Sequence, residues 1–134
     1  MRRIFISFKI EDRPKVEGFR LLARNPNVDF DFYDESVRAP FDSTNAEYIR
    51  RQIREKLQRC SVTVCLIGAT TYQSRWVDWE IRESARLGKG LVGVRLKDTY
   101  GPVPRALQDL GAGIVSWDIG QIERAIEGAA TRRG

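Results

Sequence analysis

Short apolar runs alternate with amphipathic stretches along the whole chain, and each run predicts a strand. The runs Ile4–Phe8, Val62–Ile67 and Leu91–Leu96 are mostly apolar, as expected for strands that are covered on both faces. A shorter run, Ile114–Trp117, predicts a fifth strand. In the stretch from Val28 to Phe32, apolar and polar residues alternate, which indicates a second strand that is wet on one face.

Amphipathic helices are predicted between these strands. Asp12 stands where an N-cap would begin the first helix, and Thr44 and Glu47 have capping-box spacing for the second. The third helix begins near Ser74, and Gly88 ends it. The remaining helices are a short one over 103–110 and a last one capped by Asp118.

Five strands that alternate with helices predict an α/β fold with a doubly wound, mostly parallel sheet. Because one face of the second strand is expected to be exposed to solvent, the flavodoxin-like order 2-1-3-4-5 is favoured, which places strand two at an edge. A Rossmann fold needs a glycine-rich turn after strand one, but Ser7–Asp12 contains no glycine. A receiver domain needs an aspartate at the end of strand three, where Gly68–Thr70 stands instead. We therefore predict a single domain over 1–134, with a flexible tail at 129–134.

Composition and charge narrow the functional classes. The chain has 134 residues, a net charge of +5 and no histidine. The lack of histidine excludes histidine-dependent metal sites, triads and proton shuttles, and we expect neither a metal nor a cofactor. Cys60 and Cys65 are expected to be reduced thiols of a cytoplasmic protein. No apolar run suits a signal peptide or a membrane span, so a membrane is not an expected partner. The arginines of the second helix are not interleaved with aromatic residues, so nucleic acid is not an expected partner either.

A ligand site is predicted between strands one and three. In a doubly wound sheet, ligands bind outside the carboxyl ends of the strands, where the strand order reverses. Ser7, Phe8 and Lys9 end the first strand, and Gly68 and Thr70 end the third. We therefore predict that these five residues bind the substrate. Ser7 is not expected to be a nucleophile, because no histidine exists to activate it.

Trp76 and Glu80 are four residues apart on the third helix and share one of its faces. An indole beside a carboxylate at the mouth of a cleft suits the stacking of a ring and the stabilisation of a cation. The same spacing also fits a core aromatic beside a solvated acid. Spacing alone leaves both interpretations open.

Three segments together resemble TIR domains. Ile4–Phe8 is similar to their first box, and Val64–Gly68 with Trp76–Ile81 is similar to their third strand and W-x-x-x-E helix. The resemblance is to the bacterial TIR-like proteins of the Thoeris anti-phage system. The loop Asp34–Asp42 lacks the Arg-Asp and Pro-Gly elements of receptor TIR domains, and the tail lacks their Phe-Trp box. The enzymatic bacterial type is therefore favoured over an adaptor.

The resemblance implies an enzyme that cleaves the nicotinamide–ribose bond of its substrate NAD, with Glu80 as the catalytic residue. It also implies hydrolysis or cyclisation of the ADP-ribose part, in a Thoeris-like system to a cyclic ADP-ribose isomer that activates a separate effector protein. Whether the chain associates with itself is left open by the resemblance. Two alternatives remain: a non-enzymatic module that associates through Asp34–Asp42, and a nucleoside or nucleotide N-glycosidase or deoxyribosyltransferase that also uses Glu80.

Overall fold

The computed structural model describes residues 2–22, 28–31 and 40–132, and these form a parallel sheet with helices on both faces. The sheet has the order β2-β1-β3-β4-β5, and each pairing is parallel. This confirms the predicted flavodoxin-like fold, in which the partly solvent-exposed second strand lies at one edge of the sheet. The strands are β1 (Arg2–Ser7), β2 (Val28–Asp31), β3 (Val62–Ile67), β4 (Gly90–Arg95) and β5 (Gly113–Val115).

The helices divide into two layers. α1 and α5 cover one face of the sheet, and α2, α3 and α4 cover the other. Short 3₁₀ turns precede α1 and α3. Among the residues that the structure describes, no helix is long and apolar enough to cross a membrane. The helices are α1 (Arg13–Leu22), α2 (Ala46–Gln58), α3 (Arg75–Arg86), α4 (Arg105–Asp109) and α5 (Ile119–Arg132).

Alternate residues of each strand serve different cores, because successive side chains of a strand point to opposite faces. On β1, Ile4 and Ile6 pack in the core with α1 and α5, whereas Phe5 packs with α2. On β3, Cys65 packs with α3 and α4. Burial of a large apolar side chain contributes about 1.5–3 kcal/mol, so both layers are held by the hydrophobic effect.

Most predicted helix ends are confirmed. The backbone N–H of Val77 donates to Ser74 Oγ at 3.1 Å, so Ser74 is the N-cap of α3. Gly88 follows this helix with a φ of 76°, a conformation that suits glycine. Asp118 caps α5, accepting at 2.9 Å from the backbone N–H of Gln121.

Two predicted N-caps are wrong. α2 begins at Ala46, and its N-cap residue Asn45 has a helical conformation and no capping side-chain bond. The backbone N–H of Ala46 donates instead to Ser43 O of a preceding turn, so the Thr44 hydroxyl is not needed there. Asp12 ends the 3₁₀ turn directly before α1, but its Oδ2 has no hydrogen-bond partner and its Oδ1 lies near Lys15 Nζ, so its side chain does not act as the predicted cap.

Several predicted boundaries differ from the structure by one or two residues. β4 and β5 each begin one residue before the predicted start, and β1 begins two residues before it. α5 extends as far as Arg132, with Ala129 and Ala130 buried against the sheet, whereas residues 133–134 of the tail predicted to be flexible lie outside the described residues. Phe32 and most of the Asp34–Asp42 loop lie outside the described residues.

A buried polar contact attaches α3 to β3. Ser84 Oγ donates to the backbone oxygen of Glu80 at 2.7 Å and lies 2.8 Å from Thr63 Oγ1. Since the single hydroxyl proton of Ser84 is used, Thr63 must be the donor in the second bond. Thr63 and Ser84 are both at most 1% exposed, so neither hydroxyl can turn to water.

The turn after β1 packs closely against the end of β3. A Cβ atom on Gly68 would overlap the carboxylate of Asp12, and one on Gly101 would overlap the backbone oxygen of Gly68. Asp12 is only 5% exposed, and its Oδ2 has no hydrogen-bond partner. Burial raises the pKa of Asp12, while Lys15 Nζ, 3.7 Å from Oδ1, opposes that shift.

We expect Ser84→Ala to lower the free energy of unfolding by about 1–3 kcal/mol, because it leaves the buried hydroxyl of Thr63 without its acceptor. The double variant Thr63→Val/Ser84→Ala should lose less than the sum of the two single variants, since no unpaired hydroxyl remains. Urea unfolding of all four proteins measures this coupling. Strictly additive losses would show that the two hydroxyls do not depend on each other.

We expect Asp12→Asn to raise the free energy of unfolding at neutral pH, because it removes a buried charge and keeps the shape of the side chain. The raised pKa means that the folded protein binds a proton more readily than the unfolded chain. Wild-type stability therefore falls as the pH rises from the ordinary aspartate value through the raised folded value. Urea unfolding across this pH range should show a smaller fall in the variant; identical pH profiles would contradict the prediction.

Candidate active site

The Glu80 carboxylate lies above the boundary between β1 and β3, at the predicted switch point. Ser7 ends β1, and its Oγ donates to Glu80 Oε1 at 2.7 Å. Both residues are 0% exposed. Cys65 lies beside Ser7 in the register of the sheet, and burial and the Glu80 carboxylate raise the pKa of this thiol far above its ordinary value. The thiol therefore stays protonated near neutral pH.

The second cysteine is also unreactive. Cys60 is buried after α2, and burial raises the pKa of its thiol to about 11. Cys60 and Cys65 are both free thiols. Because a thiolate is the nucleophilic form of cysteine, neither residue is available for nucleophilic chemistry near neutral pH.

A cluster of charged and polar side chains lies beyond the ends of β1 and β3, at the carboxyl edge of the sheet. Lys9 Nζ donates to Thr70 Oγ1 at 2.9 Å and lies 3.6 Å from Glu11 Oε1. Thr70 Oγ1 in turn donates to Glu11 Oε1. The Thr70 hydroxyl and the Lys9 ammonium lower the pKa of Glu11. These three residues, hereafter the rim cluster, join the loops that follow β1 and β3.

Gly68 and Phe8 contribute backbone rather than side chains to this edge. The N–H of Gly68 donates to Thr71 Oγ1 at 2.7 Å, which fixes the turn after β3. Phe8 is 1% exposed and belongs to the core with α1 and α5, on the face opposite Glu80. Substrate contact by Phe8 or Gly68 stays a prediction, and it would have to be made by backbone atoms.

Trp76 is packed in the core rather than exposed at a cleft. It is 8% exposed and lies edge-on to Phe41 and Trp79, with ring centres at 5.0 and 6.2 Å. The guanidinium of Arg50 lies 5.6 Å from the Trp76 ring. Trp76 therefore fixes the first turn of α3 against α2, one helical turn before Glu80. Its predicted contact with substrate stays a prediction.

Arg50 and Phe41 belong to this environment, although sequence reasoning did not identify them. Arg50 packs 4.4 Å from the centre of the Phe41 ring, and its Nη2 donates to Phe41 O at 3.1 Å. Arg75 lies 4.6 Å from the same ring centre. No spacing rule reveals these contacts, because they join different elements of the chain.

Open clefts of about 420 and 490 Å³ lie elsewhere in the described part of the molecule. The first is lined by Gly90 and Gly113 at the amino ends of β4 and β5, opposite the end of the sheet that carries Ser7. The second lies beside α4 and is lined by Val103 and Leu107. Across the described ranges, no group of three or more Cys, Asp or Glu side chains is arranged to hold a metal ion.

Comparison with known proteins identifies a family. The model of the TIR-like domain of Thoeris protein ThsB matches residues 5–100. A Bacillus cereus (strain MSX-D12) relative, named "Putative cyclic ADP-D-ribose synthase ThsB1", is 32% identical over 112 residues. The match covers 76% of this chain and 57% of the relative, so the chain spans little more than half of that protein's length.

Solved structures of low sequence identity share the fold. A 2-deoxyribosyltransferase from Bacillus psychrosaccharolyticus has a TM-score of 0.65 and 18% identity, with 90% of each chain covered. The Clostridium botulinum CMP N-glycosidase BcmB has a TM-score of 0.58 and 14% identity, covering 92% of this chain and 98% of that one. The TIR domain of the Toll-related receptor TRR-2 from Hydra magnipapillata has a TM-score of 0.54 and 14% identity, covering 96% and 94%.

The segment that matches the family model extends from β1 to just beyond β4 and includes both Ser7 and Glu80. The likeness to the deoxyribosyltransferase, the glycosidase and the receptor domain concerns the architecture alone. The family match and the relative rest on sequence. The chain belongs to the Thoeris ThsB family of TIR-like domains.

Proposed function

We propose that this chain is an enzyme that cleaves NAD between nicotinamide and ribose, with the Glu80 carboxylate stabilising the sugar cation. The observation that carries the proposal is the buried pair of Ser7 and Glu80, with its 2.7 Å hydrogen bond, at the junction of β1 and β3. The name of the Bacillus cereus relative supports it, because a cyclic ADP-ribose forms from NAD when nicotinamide leaves.

The reaction suits a site without histidine. Nicotinamide leaves the cationic riboside as a neutral molecule and takes both electrons of the glycosidic bond, so it needs no proton from the enzyme. The sugar that remains is an oxocarbenium-like cation, which a nearby carboxylate stabilises. Burial of Glu80 strengthens this attraction, because charges interact more strongly where water is excluded. Water or a nucleophilic atom of the same ADP-ribose then captures the cation.

An opening step is part of the proposal. Glu80 is 0% exposed, so the ribose can reach its carboxylate only when neighbouring groups move. Trp76 lies one turn earlier on α3 and packs against Phe41. A displacement of this aromatic contact would free the Trp76 ring for a flat base of the substrate.

The biological role that we propose is the production of a signal in anti-phage defence. In a Thoeris system the product would be a cyclic ADP-ribose isomer, and a separate effector protein would respond to it. A cytoplasmic location follows from this role, since NAD and the effector would be found there. Self-association of the chain stays a prediction.

Glu80→Gln should lower the rate of nicotinamide release by about 10²–10³, because it removes the charge and keeps the shape of the side chain. Chromatography of NAD incubated with each protein measures nicotinamide and every ADP-ribose product. The retention of the second product distinguishes hydrolysis from cyclisation. Equal turnover by wild type and variant would contradict the proposal.

Glu83→Gln is the matched control, because Glu83 is another buried carboxylate on α3. Burial alone would raise the pKa of Glu83, but bonds from Arg86 and Arg54 outweigh it and lower that pKa. This variant should be less stable and still release nicotinamide.

Release of base from CMP or deoxynucleosides, but not from NAD, would favour an N-glycosidase or deoxyribosyltransferase. Assembly altered by substitutions in Asp34–Asp42, without turnover of any nucleotide, would favour the association module.

Ser7→Ala should lower kcat for NAD by about ten- to a hundredfold, because it removes a hydrogen bond to a charged group that orients Glu80. KM should change little, since Ser7 contacts the carboxylate rather than the substrate. Ser7→Thr keeps the hydroxyl and should restore much of the rate. Steady-state kinetics with NAD separates the two parameters. A rise in KM at constant kcat would instead assign Ser7 to substrate binding.

A further inference from the structure

The rim cluster of Lys9, Glu11 and Thr70 is not used by the chemistry at Glu80. We propose that Lys9 and Thr70 form a subsite for the phosphate groups of the nucleotide, and that the Glu11 carboxylate occupies this subsite until substrate displaces it. The inference rests on the proposed function, since it names the part of the substrate that this rim would hold. Glu11 would therefore be a residue of this chain that competes with its own substrate.

The geometry of the cluster is that of an occupied anion site. Two donors converge on one oxygen, Glu11 Oε1: the Thr70 hydroxyl donates to it, and Lys9 Nζ lies 3.6 Å away. Lys9 Nζ also donates to Thr70 Oγ1 at 2.9 Å, which orients the hydroxyl proton towards the carboxylate. A phosphate oxygen takes the same ammonium and hydroxyl donors as a carboxylate oxygen.

The position of the cluster suits a phosphate of a substrate whose sugar lies at Glu80. Lys9 follows Ser7 by two residues, about 7 Å along an extended chain. That span is similar to the distance from C1′ of a ribose to its own 5′-phosphate. The backbone below Thr70 is held firmly, because Gly68 donates to Thr71 Oγ1 at 2.7 Å and Gly101 packs directly on Gly68.

Because Lys9 and Glu11 are accessible to solvent, replacing the Glu11 carboxylate by a phosphate costs little free energy. The Glu11 side chain is 51% exposed and that of Lys9 is 27% exposed, so an incoming phosphate meets both residues from solvent. An exposed ion pair is weak, because water screens it. Glu11 can therefore turn outwards when a phosphate arrives, whereas Lys9 and Thr70 keep their place. The competition should appear in substrate affinity and not in the chemical step.

The test measures binding without turnover. Glu11→Gln should tighten the binding of ADP by about two- to fivefold, the range expected for an exposed pair. Lys9→Met should weaken ADP binding. Adenosine, which has no phosphate, should bind equally to all three proteins, and inorganic pyrophosphate should follow ADP if the phosphates alone are recognised. Calorimetric titration of each ligand gives these affinities, and KM for NAD should fall in Glu11→Gln.

Glu17→Gln is the matched control, because it makes the same change of charge on α1 and Glu17 is exposed, paired only loosely with Arg20 at 3.5 Å. An equal gain in ADP affinity in Glu11→Gln and Glu17→Gln would overturn the proposal in favour of general electrostatic attraction. An equal shift for adenosine, or no ADP binding by any of the proteins, would overturn it too. The proposed function is judged separately, by nicotinamide release in Glu80→Gln.

Discussion

A buried carboxylate is the constraint on which this structure depends. Glu80 is fully buried, and an ionised group inside a protein is costly unless neighbouring groups compensate for it. Ser7 provides a donor from β1, and Thr63 and Ser84 continue the polar contact along the same side of α3. Polar side chains therefore occur in strands that the hydrophobic pattern would fill with valine or leucine. They fix the rotation of α3 about its axis and hence the position of the carboxylate.

The same end of the sheet contains a second buried acid. Asp12 packs against Gly68 with one oxygen lacking a donor, and its pKa is raised by burial. Natural proteins accept such local costs mainly at functional sites and compensate for them elsewhere. The apolar cores on both faces of the sheet provide that compensation. Stability thus comes from the body of the sheet, and the energetic costs of buried charge are concentrated at its carboxyl edge.

Sequence reasoning predicted the sheet order and the placement of Glu80 because both follow from periodicity. The alternation of apolar and polar residues around Phe30 indicated an edge strand, and Ser74 and Gly88 indicated the ends of α3. Contacts between elements were not predictable in this way. The four-residue spacing of Trp76 and Glu80 shows that they share a helix face, but not that this face packs the indole against Phe41. The Thr44 cap failed for a similar reason, since a turn supplied the backbone acceptor first.

The structure has a buried carboxylate on α3 and an exposed, charged cluster beyond the ends of β1 and β3. Glu80 belongs to a long helix, is bonded to a strand and has no exposure, so its orientation is set before a substrate arrives. Lys9 and Glu11 lie between β1 and α1, Glu11 within the 3₁₀ turn, and their exposed pairing changes at little cost. Under the proposed roles, substitutions of Lys9 or Glu11 change how tightly the nucleotide phosphates bind and leave the Glu80 carboxylate in place.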